Sequence, residues 1–222
     1  MLTIENGGNV SNNSGVIGAA ATAVGTASVG GAGATWTMAE NLSIGGNVVF
    51  GNGGTGSLTI DPGGTVDVAE DVVLFPNGTL TLQGGTLSAS ELRFESGGDF
   101  DFVSGTLNVG SFVGNLNNPA GTLAPGDSPG QTIVDGNYTQ GASATLQIEI
   151  GGTQPAVEHD FVDVLGDVVL DGLLELSLLN EFQPDPASTF GVLDSQSMVG
   201  AFANVANGAR LATTNGGSFL VH

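Results

Sequence analysis

The stretch GSLTIDPGGTVDVAEDVVLF (56–75), with GTLTLQGGTLSASELRF (78–94) and GDFDFVSGTLNVGSFVG (98–114) behind it, decides the fold. Each segment holds three short runs of alternating apolar residues, separated by glycines or small turns. The segments superimpose. Leu58 and Ile60 are followed by Leu80 and Leu82, then by Phe100 and Phe102. Val66 and Val68 are followed by Leu87 and Ala89, then by Leu107 and Val109. Val72, Leu92 and Phe112 make a third column, and the copies repeat every 20 to 22 residues.

Alternation of this kind points one face of a strand inward and the other outward. Three short strands cannot bury their inner face alone, but stacked copies can. The expected fold is all-β: a right-handed parallel β-helix (β-solenoid) with three short strands per 20–22-residue coil and an irregular C-terminal cap. Each coil would add one strand spacing, about 4.8 Å. The outward positions Thr59, Thr81 and Asp101, and Asp67, Ser88 and Asn108, are polar. A solvated sheet face requires that.

A looser copy precedes the clear ones. Ala27 and Val29 align with Leu58 and Ile60, Ala34 and Trp36 with Val66 and Val68, and Leu42 and Ile44 with Val72 and Leu74. That alignment makes NVVFGNGG (47–54) an insertion and places Trp36 in an inward column. The whole chain, 1–222, reads as one solenoid domain. Residues 5–33 are an irregular N-terminal coil or cap, 34–120 regular coils, 121–179 larger coils, and 180–222 C-terminal strands and a cap. The two prolines of GTLAPGDSPGQ (121–131) mark a bulging turn.

Composition agrees with many tight turns. The chain has 38 glycines in 222 residues, far above the usual share of about 7%. No Gly-X-Y period exists, so the chain is not collagen. Net charge is −20, from 22 acids against two arginines. Such a surface repels nucleic acid and anionic membranes. Cysteine is absent, which removes disulfides, thiolate nucleophiles and Cys-ligated metals. No basic leader with a continuous apolar run is visible, nor a run of about 18 apolar residues. No nucleic-acid partner and no direct membrane insertion are expected.

GTASVGGAGATWTMAENLSIG (25–45), GTGSLTIDPGGTV (54–66) and SGTLNVGSFVGN (104–115) resemble repeats of autotransporter-like passenger regions. GTLAPGDSPGQTIVDGNYTQ (121–140), DFVDVLGDVVLDGLLELSL (160–178) and GAFANVANGARLATTNGGSFLVH (200–222) are similar to segments of secreted bacterial β-helix proteins, including those with PEP-CTERM sorting tails. The resemblance implies export to an extracellular, cell-surface or outer-membrane-associated location. It implies a structural or adhesin-like role, with a cell-surface glycan or protein, or a second copy at the coil ends, as partner. Barrel and sorting tail are absent from the sequence, which reads as a piece of a longer protein.

No reaction is named by the residues. The alternative function is a glycan-active or glycan-binding module, lyase- or hydrolase-like. Its carboxylate pairs would be Asp67 with Asp71, or Asp99 with Asp101, at the separation of about 5 to 9.5 Å that glycoside hydrolysis uses. Only Arg93 and Arg210 could neutralise an acidic substrate. His159, in Glu158-His159-Asp160, reads as a solvated turn, and Ser128 in GDSPG as a turn lacking the nucleophile elbow. GNGGTG (51–56) has no following helix or Lys and is no phosphate loop. Catalytic and cofactor-binding residues are therefore not assigned. A structural calcium ion has weak candidates in Asp160, Asp163, Asp167 and Asp171, since calcium takes six to eight oxygens. A regular Thr-x-Thr ladder for ice is not present, though Thr79-Leu80-Thr81 comes close to one of its rungs.

Overall fold

The computed structural model describes every residue except Phe50, Ser96 and Asp127. Phe50 belongs to the expected insertion and Asp127 to the expected bulging turn, and both lie outside the described residues. The chain is all-β with a large, mainly parallel sheet. It divides into two compact units, Met1–Val109 and Gly110–His222.

The first unit runs β1 (Leu2–Glu5), β2 (Asn9–Asn12), β3 (Gly15–Ile17), β4 (Val24–Gly30), β5 (Ala34–Met38) and β6 (Leu42–Ile44). It continues with β7 (Gly46–Asn47), β8 (Gly51–Asn52), β9 (Thr55–Ile60), β10 (Gly64–Leu74), β11 (Gly78–Phe94) and most of β12 (Asp99–Val113). Three parallel ladders result. β1, β4, β9 and the start of β11 make the first. β2, β5, β10 and the middle of β11 make the second. β3, β6 and the later parts of β10 and β11 make the third.

Residue pairing follows the apolar columns. Leu2, Ala27, Leu58 and Leu80 succeed one another in the first ladder, as do Ile4, Val29, Ile60 and Leu82. Leu58, Ile60, Leu80 and Leu82 are wholly buried. Burying such a side chain stabilises by roughly 1.5–3 kcal/mol. Phe102 is buried, and its ring stacks on that of half-buried Phe100 at 5.8 Å. At the corner before β11 the ladders pass so close that a Cβ on Gly78 would strike the Ile44 carbonyl.

Three expectations change. The second ladder pairs Trp36 with Val66 and Met38 with Val68, while Ala34 lies against Gly64. The alignment of Ala34 with Val66 is thus off by one inward position. The interval also varies: Leu58 and Leu80 are 22 apart, but Ala27 and Leu58 are 31 apart. That added length falls where the insertion over 47–54 was expected and holds the antiparallel hairpin of β7 and β8. Residues 5–33, read as irregular, contain β2, β3 and β4, each paired in register.

That first tier works with small inward residues because its neighbour reaches over it. A Cβ on Gly15 would come within 2.8 Å of Met38 Sδ and 2.9 Å of Leu42 Cδ1. Trp36 Nε1 donates to Asn12 Oδ1 at 2.6 Å, and Asn12 Nδ2 donates to the Ser14 carbonyl. Asn12 therefore fills an inward position with its polar atoms satisfied, as burial demands.

The second unit holds the end of β12, then β13 (Leu116–Asn118), β14 (Thr122–Leu123), β15 (Gln131–Asp135), β16 (Tyr138–Gln140) and β17 (Thr145–Ile150). β18 (Phe161–Leu170), β19 (Leu173–Leu178), β20 (Leu193–Gly200), β21 (Arg210–Ala212) and β22 (Ser218–Leu220) complete it. β12, β15, β18 and β20 form one parallel ladder, and β13, β16 and later parts of β18 and β20 another. β14, β17 and β19 form the third. β21 and β22 are an antiparallel hairpin.

The far edge of β19 is covered by side chains. Asn204 accepts from Leu174 N–H at 3.1 Å and donates to the Leu174 carbonyl at 2.8 Å. Asn215 treats Leu178 the same way, at 2.9 and 2.6 Å. Thr214 N–H, between them in space, donates to the Leu176 carbonyl. Each asparagine amide imitates a strand residue and blunts an edge that would otherwise accept another chain.

Candidate functional site

Acidic residues are most numerous on outward strand positions, so their chemistry depends on whether any of them converge. Asp67, Asp99 and Asp101 are exposed. Asp71 is committed elsewhere: its N–H donates to Asn41 Oδ1, and its carboxylate lies 3.5 Å from Arg93 Nε. Arg93 also meets Glu91 at 3.3 Å and Glu95 at 2.7 Å. Three carboxylates thus clamp this cation, and the group is a charge-compensated patch on the face of the sheet.

The four calcium candidates are spread along β18 and its flanks. Asp160 is buried, with Oδ1 accepting from Gly130 N–H and Oδ2 from Glu149 N–H, each at 2.8 Å. Asp163 faces outward and is paired with Asp194 on β20. Asp167 accepts from Ser197 Oγ at 2.6 Å, and Asp171 from the N–H of Gly172 at 2.7 Å. Among the described residues, no three His, Asp or Glu side chains gather where they could hold a metal ion.

The polar centre with the most structure behind it is His159 with Asp160. His159 is fully buried, which corrects its reading as a solvated turn. The cause lies next door. Glu158 turns its carboxylate back onto Thr153 and Gln154 N–H, at 2.9 and 3.0 Å, closing the turn over the imidazole. Nδ1 of His159 lies 3.1 Å from the Gly152 carbonyl and Nε2 3.0 Å from the Gly191 carbonyl. Phe190 presents an edge-on ring at 5.5 Å. A neutral imidazole can donate to only one of two carbonyls, and only the imidazolium donates to both. Each ring nitrogen faces a backbone carbonyl and the ring is sealed from solvent, so the imidazole points into the fold rather than toward a substrate. Asp160 ties the 121–131 turn to β17. Burial pushes its carboxyl up to about 6, against the two N–H donors that pull it down. These side chains hold segments together.

A second buried polar group is equally self-contained. Tyr138 donates to Gln140 Oε1 at 2.9 Å, and Gln140 Nε2 reaches the Asp171 and Leu173 carbonyls at 2.8 and 3.0 Å. Burial pushes the Tyr138 phenol well above its usual range, and contact with Asn118 pulls it partly back. Asn118 closes its own turn through both bonds to Gly121. Trp36 and Tyr138 are both buried, so neither ring is a platform for sugars.

A groove of about 670 Å³ opens in the second unit. Ile150, Leu174 and Leu176 lie at its floor, with Phe190, Phe219 and Arg210 in its walls. The rings of Phe190 and Phe219 meet edge to face at 5.5 Å. Arg210 spends Nε and one terminal nitrogen on Ser218, at 2.9 and 2.6 Å. Sequence reasoning missed Asn204, Asn215 and Gln140, which gave no signal beyond being polar residues near turns. Ser128 is exposed.

No family model, curated protein or solved structure matches the chain. Among the described residues, no helix is long and apolar enough to cross a membrane.

Proposed function

We propose that the chain is a right-handed parallel β-solenoid segment of a secreted or surface-exposed bacterial protein, with a structural or adhesin-like role and no catalysis. The observation that carries this reading is the in-register parallel stacking of short strands in each unit. Parallel crossovers favour the right hand. The resemblance to autotransporter-like passenger and PEP-CTERM-type β-helix proteins supports the same role. Contacts would be weak and numerous, made by outward Thr, Asn and Asp rows to cell-surface glycan or protein. Open strands at a ladder end would add self-association.

The glycan-active alternative has one feature in its favour, the groove beside Arg210 and Phe219. One experiment separates the two. Beads carrying many copies should adhere to immobilised surface polysaccharides or proteins about 10²–10⁴-fold more strongly than the free chain, as multivalency allows. Reducing-end and unsaturated-product assays on the same polysaccharides should stay at background. Product release would favour the alternative, and lack of bead retention on every surface would remove the adhesive role.

A further inference from the structure

The groove of the second unit carries a cation that the chain itself does not balance. Arg210 is the only lysine or arginine after residue 109, in a chain of net charge −20. Every ion pair among the described residues belongs to Arg93 instead. Arg210 hydrogen-bonds only Ser218, through Nε and one terminal nitrogen. Its other terminal nitrogen has no partner among the described residues. Asp185, an acid that also lines the groove, turns Oδ1 onto the Ala187 N–H at 2.9 Å and forms no ion pair with Arg210 among the described residues.

The rest of the trough is apolar and held open. β17 and β19, stacked in register, bring Ile150, Leu174 and Leu176 to the floor. Across the β21–β22 hairpin Arg210 is paired with Leu220, and both line the groove. Leu220 is 49% exposed, an apolar side chain left in water beside an unbalanced cation. The opposite wall is the strap over 182–192. Asn180 and Glu181 take positive φ values of 49° and 56°, which swing the strap off the end of β19. Pro184 and Pro186 in the strap lack the N–H that would pair it with a neighbouring strand. Strap and hairpin share no hydrogen bond among the described residues and meet at the rings of Phe190 and Phe219. The space between them, about 670 Å³, lies within the roughly 300–1,000 Å³ of small-molecule sites.

We propose that this groove binds a monocarboxylate with an unbranched alkyl chain. The head meets Arg210, whose planar fork suits a carboxylate. The chain runs past Leu220 over the aliphatic floor, and burial of apolar surface supplies the attraction. One negative charge is specified because the field of a −20 chain opposes each further one. An elongated chain is specified because the rings of Phe190 and Phe219 are engaged edge to face with each other. The inference goes beyond the adhesive reading and concerns a site apart from its outward polar rows.

The test is isothermal titration of the full chain with decanoate, with decan-1-ol as the uncharged probe and acetate as the head alone. Decanoate should saturate one site with a Kd on the order of 10–100 µM, and the other two should bind at least tenfold more weakly. Arg210→Gln should weaken decanoate at least tenfold and leave decan-1-ol unchanged. Leu220→Asn should weaken both. Val199→Asn, at another exposed apolar position of the same unit, should leave decanoate binding as in wild type. Circular dichroism checks folding, and where Arg210→Gln does not fold, Leu220→Asn decides. Absence of saturable decanoate binding overturns the proposal, as does equal loss in Val199→Asn or decan-1-ol binding as tight as decanoate. Binding of galacturonate in place of decanoate also overturns it and turns the groove to the glycan alternative. Bead adhesion to surface polysaccharide or protein would survive each of these results, so failure here is distinct from failure of the adhesive role.

Discussion

Leu58 and Leu80 are direct neighbours on adjacent parallel strands, 22 positions apart in sequence, and both are sealed from water. Thr59 and Thr81, one step along, are neighbours on the outer face. Replacing Leu80 by Asp places an unpaired charge in the column. That should cost more than the roughly 2–5 kcal/mol of a buried Leu→Ala change and unfold the central tiers. Thr81→Asp should cost about 0.5 kcal/mol or less. Thermal melts check this, and equal losses would contradict the inward and outward assignments.

Asn204 and Asn215 substitute for a strand along β19. Alanine at either position strands one backbone N–H and one carbonyl of Leu174 or Leu178. Each should cost about 0.5–1.5 kcal/mol, with the larger loss at the part-buried Asn204 contact and the smaller at the exposed Asn215 contact. The freed edge should also raise light scattering on concentration. Melting combined with static scattering measures both. Unchanged melting temperature and scattering in the double variant would show that the amides do not protect this edge.

Asp160 makes stability depend on pH in an unusual direction. Its carboxyl is raised from 3.8 to about 6 in the folded chain, chiefly by burial. The folded state therefore binds more protons than the unfolded state between those values. The contribution is complete below about pH 4 and is lost as pH rises through about 6. The melting-temperature difference between wild type and Asp160→Asn should shift in favour of wild type as pH falls from 7 to 4. A difference independent of pH would show that Asp160 titrates normally.

His159 links the turn at Gly152 to the strap at Gly191. His159→Ala removes both contacts and the edge-on packing of Phe190. The strap over residues 180–192 should become the first site of limited proteolysis, with a stability loss of about 2–4 kcal/mol. Cleavage kinetics like those of wild type would show that the strap is held by other means.

The first and third ladders were legible because Leu58, Ile60, Val72 and Leu74 repeat the inward alternation of Ala27, Val29, Leu42 and Ile44. The second ladder misled because Gly64, with no side chain to betray its inward position, is the true partner of Ala34. Buried Met38 is what pairs with Val68. The first tier was hidden for a related reason. Its inward positions at Asn12 and Gly15 are polar and small, because Trp36, Met38 and Leu42 fill the space. His159 sat between two acids and gave no sign that Glu158 would fold back and Asp160 would be buried.

The most direct measurement is a set of side-chain NOEs in the isotopically labelled chain. Methyl cross-peaks should join Leu58 to Leu80 and Ile60 to Leu82, and the Trp36 ring should contact Val66. Strong peaks from Leu58 to Leu80 with none from Ala34 to Val66 are the predicted result. Absence of contact between Leu58 and Leu80, or contacts that place either beside surface residues only, would contradict the stacked arrangement on which every functional inference rests.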